Sequence, residues 1–285
     1  MQKKKFYLGG LILALTTFLC SPFLTSCAYE DKIAIGLECN YAPFNWTTKN
    51  ESEHTIKISN KYKQYADGYD IEIAKRIGEE LNKEVIIIKT AWESLIPDLQ
   101  TRGLDLVIAG MTATEERRKS IDFTDEYYRS ELVLITKKDV ADKYKDKILT
   151  SNELEDLIKN KNIVSQSFTV TDDVIDVFKE KYHSLHAKPA DSFANAALDV
   201  KSGSAFAMTS ELPVAISITN ANKNLGIVRI HQEILGELRG ELGVSIGVRK
   251  GNTELKEAVN NVLKGISIEE RTSIMLESVT RNTSY

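Results

Sequence analysis

Gly110, Thr112 and Arg117 stand in the stretch DLVIAGMTATEERRKSIDF. There a buried-looking apolar run ends in Ala-Gly and passes at once into threonines, two glutamates and three consecutive basic residues. A glycine at a strand end lets a ligand approach the backbone, and an arginine one turn inside the following helix can reach back to grip a carboxylate with two parallel hydrogen bonds. The same residues also read as helix-end chemistry. Thr112 with Glu115 fits a capping box, Thr114 before two glutamates fits a helix start, and Arg117, Arg118 and Lys119 suit the negative end of one short helix. Gly110 tilts the balance toward anion binding at Arg117, with Arg118 and Lys119 left as solvated charges.

Such residues need a scaffold, and the chain supplies strands and helices in alternation. Residues 33–37 are a short apolar strand, followed by the turn ECNYAPF. Ile71, Ala74, Ile77 and Leu81 fall at helical spacing, residues 85–88 (VIII) read as a fully buried strand, and Leu95, Ile96 and Leu99 mark a helix stopped by Gly103 before a strand over 104–109. That is βαβαβ with a parallel sheet and right-handed crossovers. The middle of the chain repeats the scheme: a strand at 162–165, helices at 172–182 and 192–201, the second ended by Gly203, and a strand at 205–209. The fold class expected is therefore α/β in two lobes, each a mainly parallel sheet flanked by helices. The apolar strands ELVLIT and LGVSIGV lie where the chain would cross between lobes and return, which makes two hinge crossings. The expected bounds are 28–132 with 241–285 for the first lobe and 133–240 for the second.

Parallel α/β sheets bind ligands beyond the carboxyl ends of their strands. In the first lobe those ends deliver Glu38 with Tyr41 and Phe44, then Trp92, then Gly110, Thr112 and Arg117. In the second they deliver Gln166 to Thr169 and Glu211. One arginine, free amides, aromatic faces and two acids suit a small zwitterion. Each has a plainer role available: Tyr41 and Trp92 as half-buried aromatics, Glu211 as a surface acid before a proline turn, Glu38 as a turn acid capping local amides. The four histidines are scattered with no second metal ligand at a useful spacing, and no phosphate loop, nucleophile elbow or zinc signature occurs. No metal and no cofactor are expected.

Composition narrows the class further. A chain of 285 residues with ordinary apolar and charged fractions has the length for one large globular domain or two of moderate size. Its first 26 residues have a basic start at Lys3, Lys4 and Lys5 and a short apolar run before Leu24-Thr25-Ser26-Cys27, the build of a secretory signal. Removing them takes away three lysines and no acid, which makes the formal charge of −4 more negative by three. An acidic surface argues against nucleic acid and against a polybasic membrane patch. Cys20 leaves with the signal, so Cys39 has no partner for an intrachain disulfide if Cys27 is modified.

From about 33 to 271 the chain resembles the polar amino-acid binding proteins of bacterial ABC importers, solute-binding family 3 with the type II periplasmic binding fold. The resemblance is carried by YAPFNW, GYDIEIAKRIGEEL, WESLIPDLQTRGLDLVIAGMTATEERRKSIDFTDEYY and GVSIGVRKGNTEL. It implies that Gly110, Thr112 and Arg117 hold a ligand α-carboxylate, that Tyr41 and Trp92 clamp its side chain, and that Glu211 takes the α-ammonium. In relatives selective for basic amino acids an acid at the position of Glu38 faces the side-chain cation. Leu-Thr-Ser-Cys resembles the lipoprotein box, which implies a diacylglycerol on Cys27 and a lipid-anchored, extracytoplasmic protein serving permease subunits, itself a monomer. Three departures stand out. Glu211 replaces the usual aspartate, Ser167-Phe168-Thr169 replaces a Gly-Thr-Thr turn and leaves Thr169 as the anion contact, and the polar segment 45–66 is long enough to be a mobile flap. Relatives of the fold also include cyclohexadienyl dehydratases, peptidoglycan lyases and sensor ectodomains. A binding protein rather than an enzyme is expected, with no lyase domain or second membrane span in the residues up to Tyr285.

Overall fold

The computed structural model describes residues 31–282. The expected signal segment, 1–26, and Cys27 lie outside the described residues. The chain begins with β1 (Lys32–Leu37), whose Ile33, Ile35 and Leu37 are buried. Four short strands follow, β2 (Asn40–Tyr41), β3 (Asn45–Thr48), β4 (Ile56–Lys57) and β5 (Tyr65–Asp67), and form a small antiparallel sheet of their own. Next come α1 (Tyr69–Glu80), β6 (Glu84–Lys89), α2 (Leu95–Gln100), β7 (Leu106–Val107), α3 (Glu115–Ser120) and β8 (Ile121–Arg129). The expected helix is there because Ile71, Ala74 and Ile77 share one face, and each fully buried isoleucine contributes roughly 1.5–3 kcal/mol. Its start is set by Gly68, at φ 131°, where a Cβ would lie 2.3 Å from the Phe44 carbonyl oxygen.

Two residues after β8 the chain enters a second sheet through β9 (Leu132–Lys137), then α4 (Lys138–Ala141), β10 (Ile148–Leu149), α5 (Ser151–Ile158), β11 (Asn162–Val164), α6 (Val170–Tyr182), β12 (Leu185–His186), α7 (Phe193–Ser202), β13 (Ala207–Glu211), α8 (Leu212–Ala221) and β14 (Leu225–Ile230). A 3-10 stretch, Gln232–Leu242, leads back to β15 (Gly243–Arg249), α9 (Thr253–Lys264) and α10 (Ile268–Arg281). The first sheet has the order β6-β1-β7-β15-β8 and the second β10-β14-β9-β13-β11-β12. Two α/β lobes result.

Both sheets are mixed. The βαβ units are parallel, as their crossovers require, but β15 runs antiparallel to β7 and β8, and β9 antiparallel to β13 and β14. These are the two strands that enter directly from the other lobe, and a strand without a helical crossover is free to run either way. A second difference concerns residues 85–88, expected to be buried throughout. Among them only Ile87 is buried, because β6 is the edge of its sheet. Segment 45–66, expected as a mobile flap, is instead built into the small sheet and packed on that edge. Ile58 is fully buried and bridged to Ile87, and the Ser59 N–H donates to the Ile87 carbonyl at 2.8 Å. An exposed edge is thereby covered.

Candidate functional site

The carboxyl ends of β1, β7, β11 and β13 face one cavity, with about 440 Å³ of empty space that includes its opening to solvent. Glu38, Tyr41, Trp92, Gly110, Thr112, Arg117, Thr169 and Glu211 all line it, joined by Gln166, Val170, Thr171, Phe193 and Leu242. Sequence reasoning placed the first eight, and the same strand-end rule named Gln166 without giving it a role. Phe193 was not. It is the first residue of α7, started by Ser192, whose Oγ accepts from the Asn195 N–H at 3.2 Å, and its ring lies 4.8 Å from that of Tyr41. A helix-start signal locates such a residue in the chain but not against a tyrosine of the other lobe.

The turn after β7 is built for close approach. Gly110 has φ +60°, and a Cβ there would sit 2.7 Å from the Tyr41 ring. Its N–H donates to the Tyr127 hydroxyl at 2.9 Å, so an amide expected to face a carboxylate is already engaged within the lobe. Helix α3 starts at Thr114, whose Oγ1 accepts from the Arg117 N–H at 3.2 Å, which resolves the capping alternatives in favour of Thr114. Thr112 is thus released from capping. Its backbone bridges to Val244 of the returning strand. Arg117 does reach back from α3 toward the cavity: it donates to the Thr112 carbonyl at 2.8 Å and to the Phe168 carbonyl at 2.8 Å, with its guanidinium carbon 5.3 Å from the centre of the Trp92 ring. Burial lowers its pKa to about 10, which leaves it charged at neutral pH. Arg118 instead donates to the Ala113 carbonyl, and Lys119 pairs with Glu116 in solvent.

Across the cavity, Glu211 ends β13 and precedes α8, whose Pro213 suits a first helical turn. Burial raises its pKa, opposed by the Tyr41 hydroxyl that donates to it at 2.5 Å. Glu38 sits one residue beyond β1, and its carboxyl is pushed up to about 7, chiefly by burial. Gln166 Nε2 donates to both of its oxygens at 3.3 Å and works the other way. Thr169 caps α6, accepting from the Asp172 N–H at 3.2 Å and donating to the Gln166 carbonyl at 2.6 Å. Its one hydroxyl proton is therefore spent on the turn, and the expected anion contact through that proton is not available in this arrangement. Trp92 Nε1 donates to the Phe168 carbonyl at 3.1 Å. Phe168, at φ +60°, is three-quarters exposed while its carbonyl gathers donors from Trp92 and Arg117 of the first lobe.

A family model, bacterial extracellular solute-binding proteins of family 3, matches residues 33–277. The chain belongs to this family. Among family 3 proteins and their kin it is similar to ABC transporter arginine-binding protein 1 of Escherichia coli strain K12, at 28% identity over 251 residues, covering 88% of this chain and 91% of that one. Two solved structures share its fold. One is an ancestral arginine-binding protein bound to glutamine, with 28% identity, a TM-score of 0.65 and coverage of 87% of this chain and 97% of that one. The other is the ancestral amino-acid-binding protein AncCDT-1, a precursor of cyclohexadienyl dehydratase, with 28% identity, a TM-score of 0.67 and coverage of 87% and 96%. Family 3 proteins are extracellular, and the cleft between this member's two sheets is where its cavity lies.

Proposed function

We propose that this chain is the extracytoplasmic amino-acid-binding component of an ABC importer and that its preferred ligand is a basic L-amino acid, arginine first. The assignment rests on the charge set of the cavity: the lining residues include two acids, Glu38 and Glu211, and one base, Arg117. A zwitterionic head group matches Arg117 with its carboxylate and Glu211 with its ammonium, which leaves Glu38 for a second positive charge. Gln166 gives Glu38 a neutral donor but no counter-charge, and a buried ionised acid without one is costly, so the ligand that supplies a cation is favoured. Thr112 and the Gly110 turn complete the carboxylate end, and Tyr41 and Trp92 cover the aliphatic stem and stack on the guanidinium. Thr169 holds the start of α6 against the head group. Glutamine is the runner-up, since its amide can donate to Glu38; the relatives' names, arginine-binding and glutamine-bound, support the same pair.

Capture proceeds by closure of the lobes, 28–132 with 241–285 against 133–240, around hinges at the two crossings. The monomer is held at the membrane by a lipid on Cys27, and the closed form is what permease subunits recognise. A thermal-shift screen of residues 28–285 against the common amino acids tests this, because a ligand that binds the native state raises its melting temperature. Arginine should give the largest shift, followed by lysine and histidine, then glutamine. A largest shift with glutamate, or none with any amino acid, rejects the assignment. One observation favours a second reading: a carboxyl with a pKa near 7 in a buried cavity is a competent general acid, and AncCDT-1 is named as a dehydratase precursor. Prephenate turnover that is lost in Glu38→Gln would establish that reading; the binding-protein assignment expects none.

A further inference from the structure

Two backbone amides on different ligand-facing loops of the first lobe are tied to the same buried carboxylate. The Cys39 N–H, next to Glu38, donates to Asn45 Oδ1 at 2.7 Å, and Asn45 Nδ2 donates to Asp70 Oδ2 at 2.7 Å. On the other side the Gly110 N–H donates to the Tyr127 hydroxyl at 2.9 Å, and that hydroxyl donates to Asp70 Oδ1 at 2.7 Å. Cys39, Asn45, Asp70 and Tyr127 are each no more than 1% exposed. The direction of every bond is dictated. Cys39 and Gly110 offer main-chain donors, so Asn45 must turn its oxygen to Cys39 and its NH2 to Asp70. Tyr127 accepts from Gly110 and sends its own proton to Asp70. Both arms run donor to acceptor into Asp70, and only a group that accepts on both oxygens closes them.

Burial makes such a group expensive: Asp70 is pushed up to about 7. An apolar residue would fill the start of α1 at lower cost, and buried polar groups are best attested where they fix a register. Asp70 is itself pinned, its N–H donating to the Phe44 carbonyl at 2.8 Å in the turn that carries Tyr41. We propose that Asp70 is a positioning residue, the junction of a two-armed hydrogen-bond relay that holds the Glu38 loop and the Gly110 turn in one register for ligand capture. The ligand half of this proposal rests on the function proposed above; the coupling half does not.

The test combines amide exchange with binding in Asp70→Asn, Tyr127→Phe and Asn45→Ala. Asparagine at 70 has the same shape but keeps only one acceptor and no charge, so one arm loses its acceptor and the other its charge-assisted bond. In the ligand-free protein, Tyr127→Phe should speed exchange at Gly110 alone, Asn45→Ala at Cys39 alone, and Asp70→Asn at both, by about tenfold or more for each buried bond lost. In titrations, Tyr127→Phe should weaken arginine and glutamine by similar factors of about ten, since it touches the head-group turn. Asn45→Ala should change the ratio of the two, since it touches the Glu38 loop. A merely structural Asp70 would lower the melting temperature without moving that ratio or linking the two amides. If Asp70→Asn does not fold, the two single-arm variants still test whether the Gly110 arm weakens both ligands alike while the Cys39 arm shifts their ratio. Exchange at Cys39 and Gly110 that is unchanged in the variants overturns the relay. A wild-type protein that binds no amino acid overturns the proposed function instead, and leaves the exchange result to decide the junction by itself.

Discussion

The ratio of arginine to glutamine affinity should climb with pH, because Glu38 must be ionised to meet a cation. With Gln166 of the second lobe against it, burial holds its carboxyl at about 7, against an ordinary 4.5, so the group is mostly neutral in mild acid. A guanidinium placed beside it favours the charged form and pulls the pKa down, and binding near neutrality therefore releases a proton. Linkage fixes the sign: wherever the free protein holds more protons than the complex, affinity increases with pH. With a pKa of about 7 in this arrangement, the ionised fraction rises from about 0.03 at roughly pH 5.5 to about 0.97 at roughly pH 8.5, so about 30-fold is the upper bound on the gain in the arginine-to-glutamine ratio across that span. Glu211 also has a raised pKa, but it meets the α-ammonium that both ligands carry, so its titration cancels in the arginine-to-glutamine ratio. Calorimetric titration of both ligands in buffers of different ionisation enthalpy gives the ratio and the proton count together. Glu38→Gln should flatten the ratio. A ratio that is flat in the wild type, or that falls as pH rises, refutes the placement of a ligand cation at Glu38.

Arg117→Ala should weaken arginine and glutamine alike by roughly 2 to 5 kcal/mol in the same titrations, whereas Arg118→Ala, which loses a contact to the Ala113 carbonyl at the exposed rim, should change little; equal small effects would return the basic cluster to helix-end duty. Gly110→Ala combines a φ of +60° with a methyl 2.7 Å from the Tyr41 ring, so it should cost on the order of 1 to 3 kcal/mol of stability by urea denaturation and also lower affinity. Unchanged binding and stability would mean that the turn and Tyr41 relax freely. Cys27→Ser should release the protein from membranes on fractionation of the native host with ligand binding of the folded domain intact; full retention would require another anchor.

Local spacing was enough to locate the strands whose ends bear the cavity and several of the helices between them, but not the small sheet β2–β5 or the closing helices α9 and α10. Ile71, Ala74 and Ile77 announce a helix by their period, Gly203 ends another in the left-handed region, and the strand-end rule gathers residues as far apart as Glu38 and Glu211. Such signals work because helix period, caps and turns are decided within a few residues. Tertiary structure alone decided what depends on a partner distant in the chain. Thr112 is free for the cavity only because Thr114 takes the cap. Residues 85–88 are only partly buried because β6 is an edge, and β15 can run antiparallel because it arrives from the other lobe without a helical crossover. The pairing of Phe193 with Tyr41 across the cleft belongs to the same class. So does the convergence of Cys39 and Gly110 on Asp70, whose bonds to Asn45 and Tyr127 span 25 and 57 positions. No periodicity encodes which donor a buried carboxylate will meet, since that depends on how close the fold brings segments whose separation along the chain carries no signal of its own.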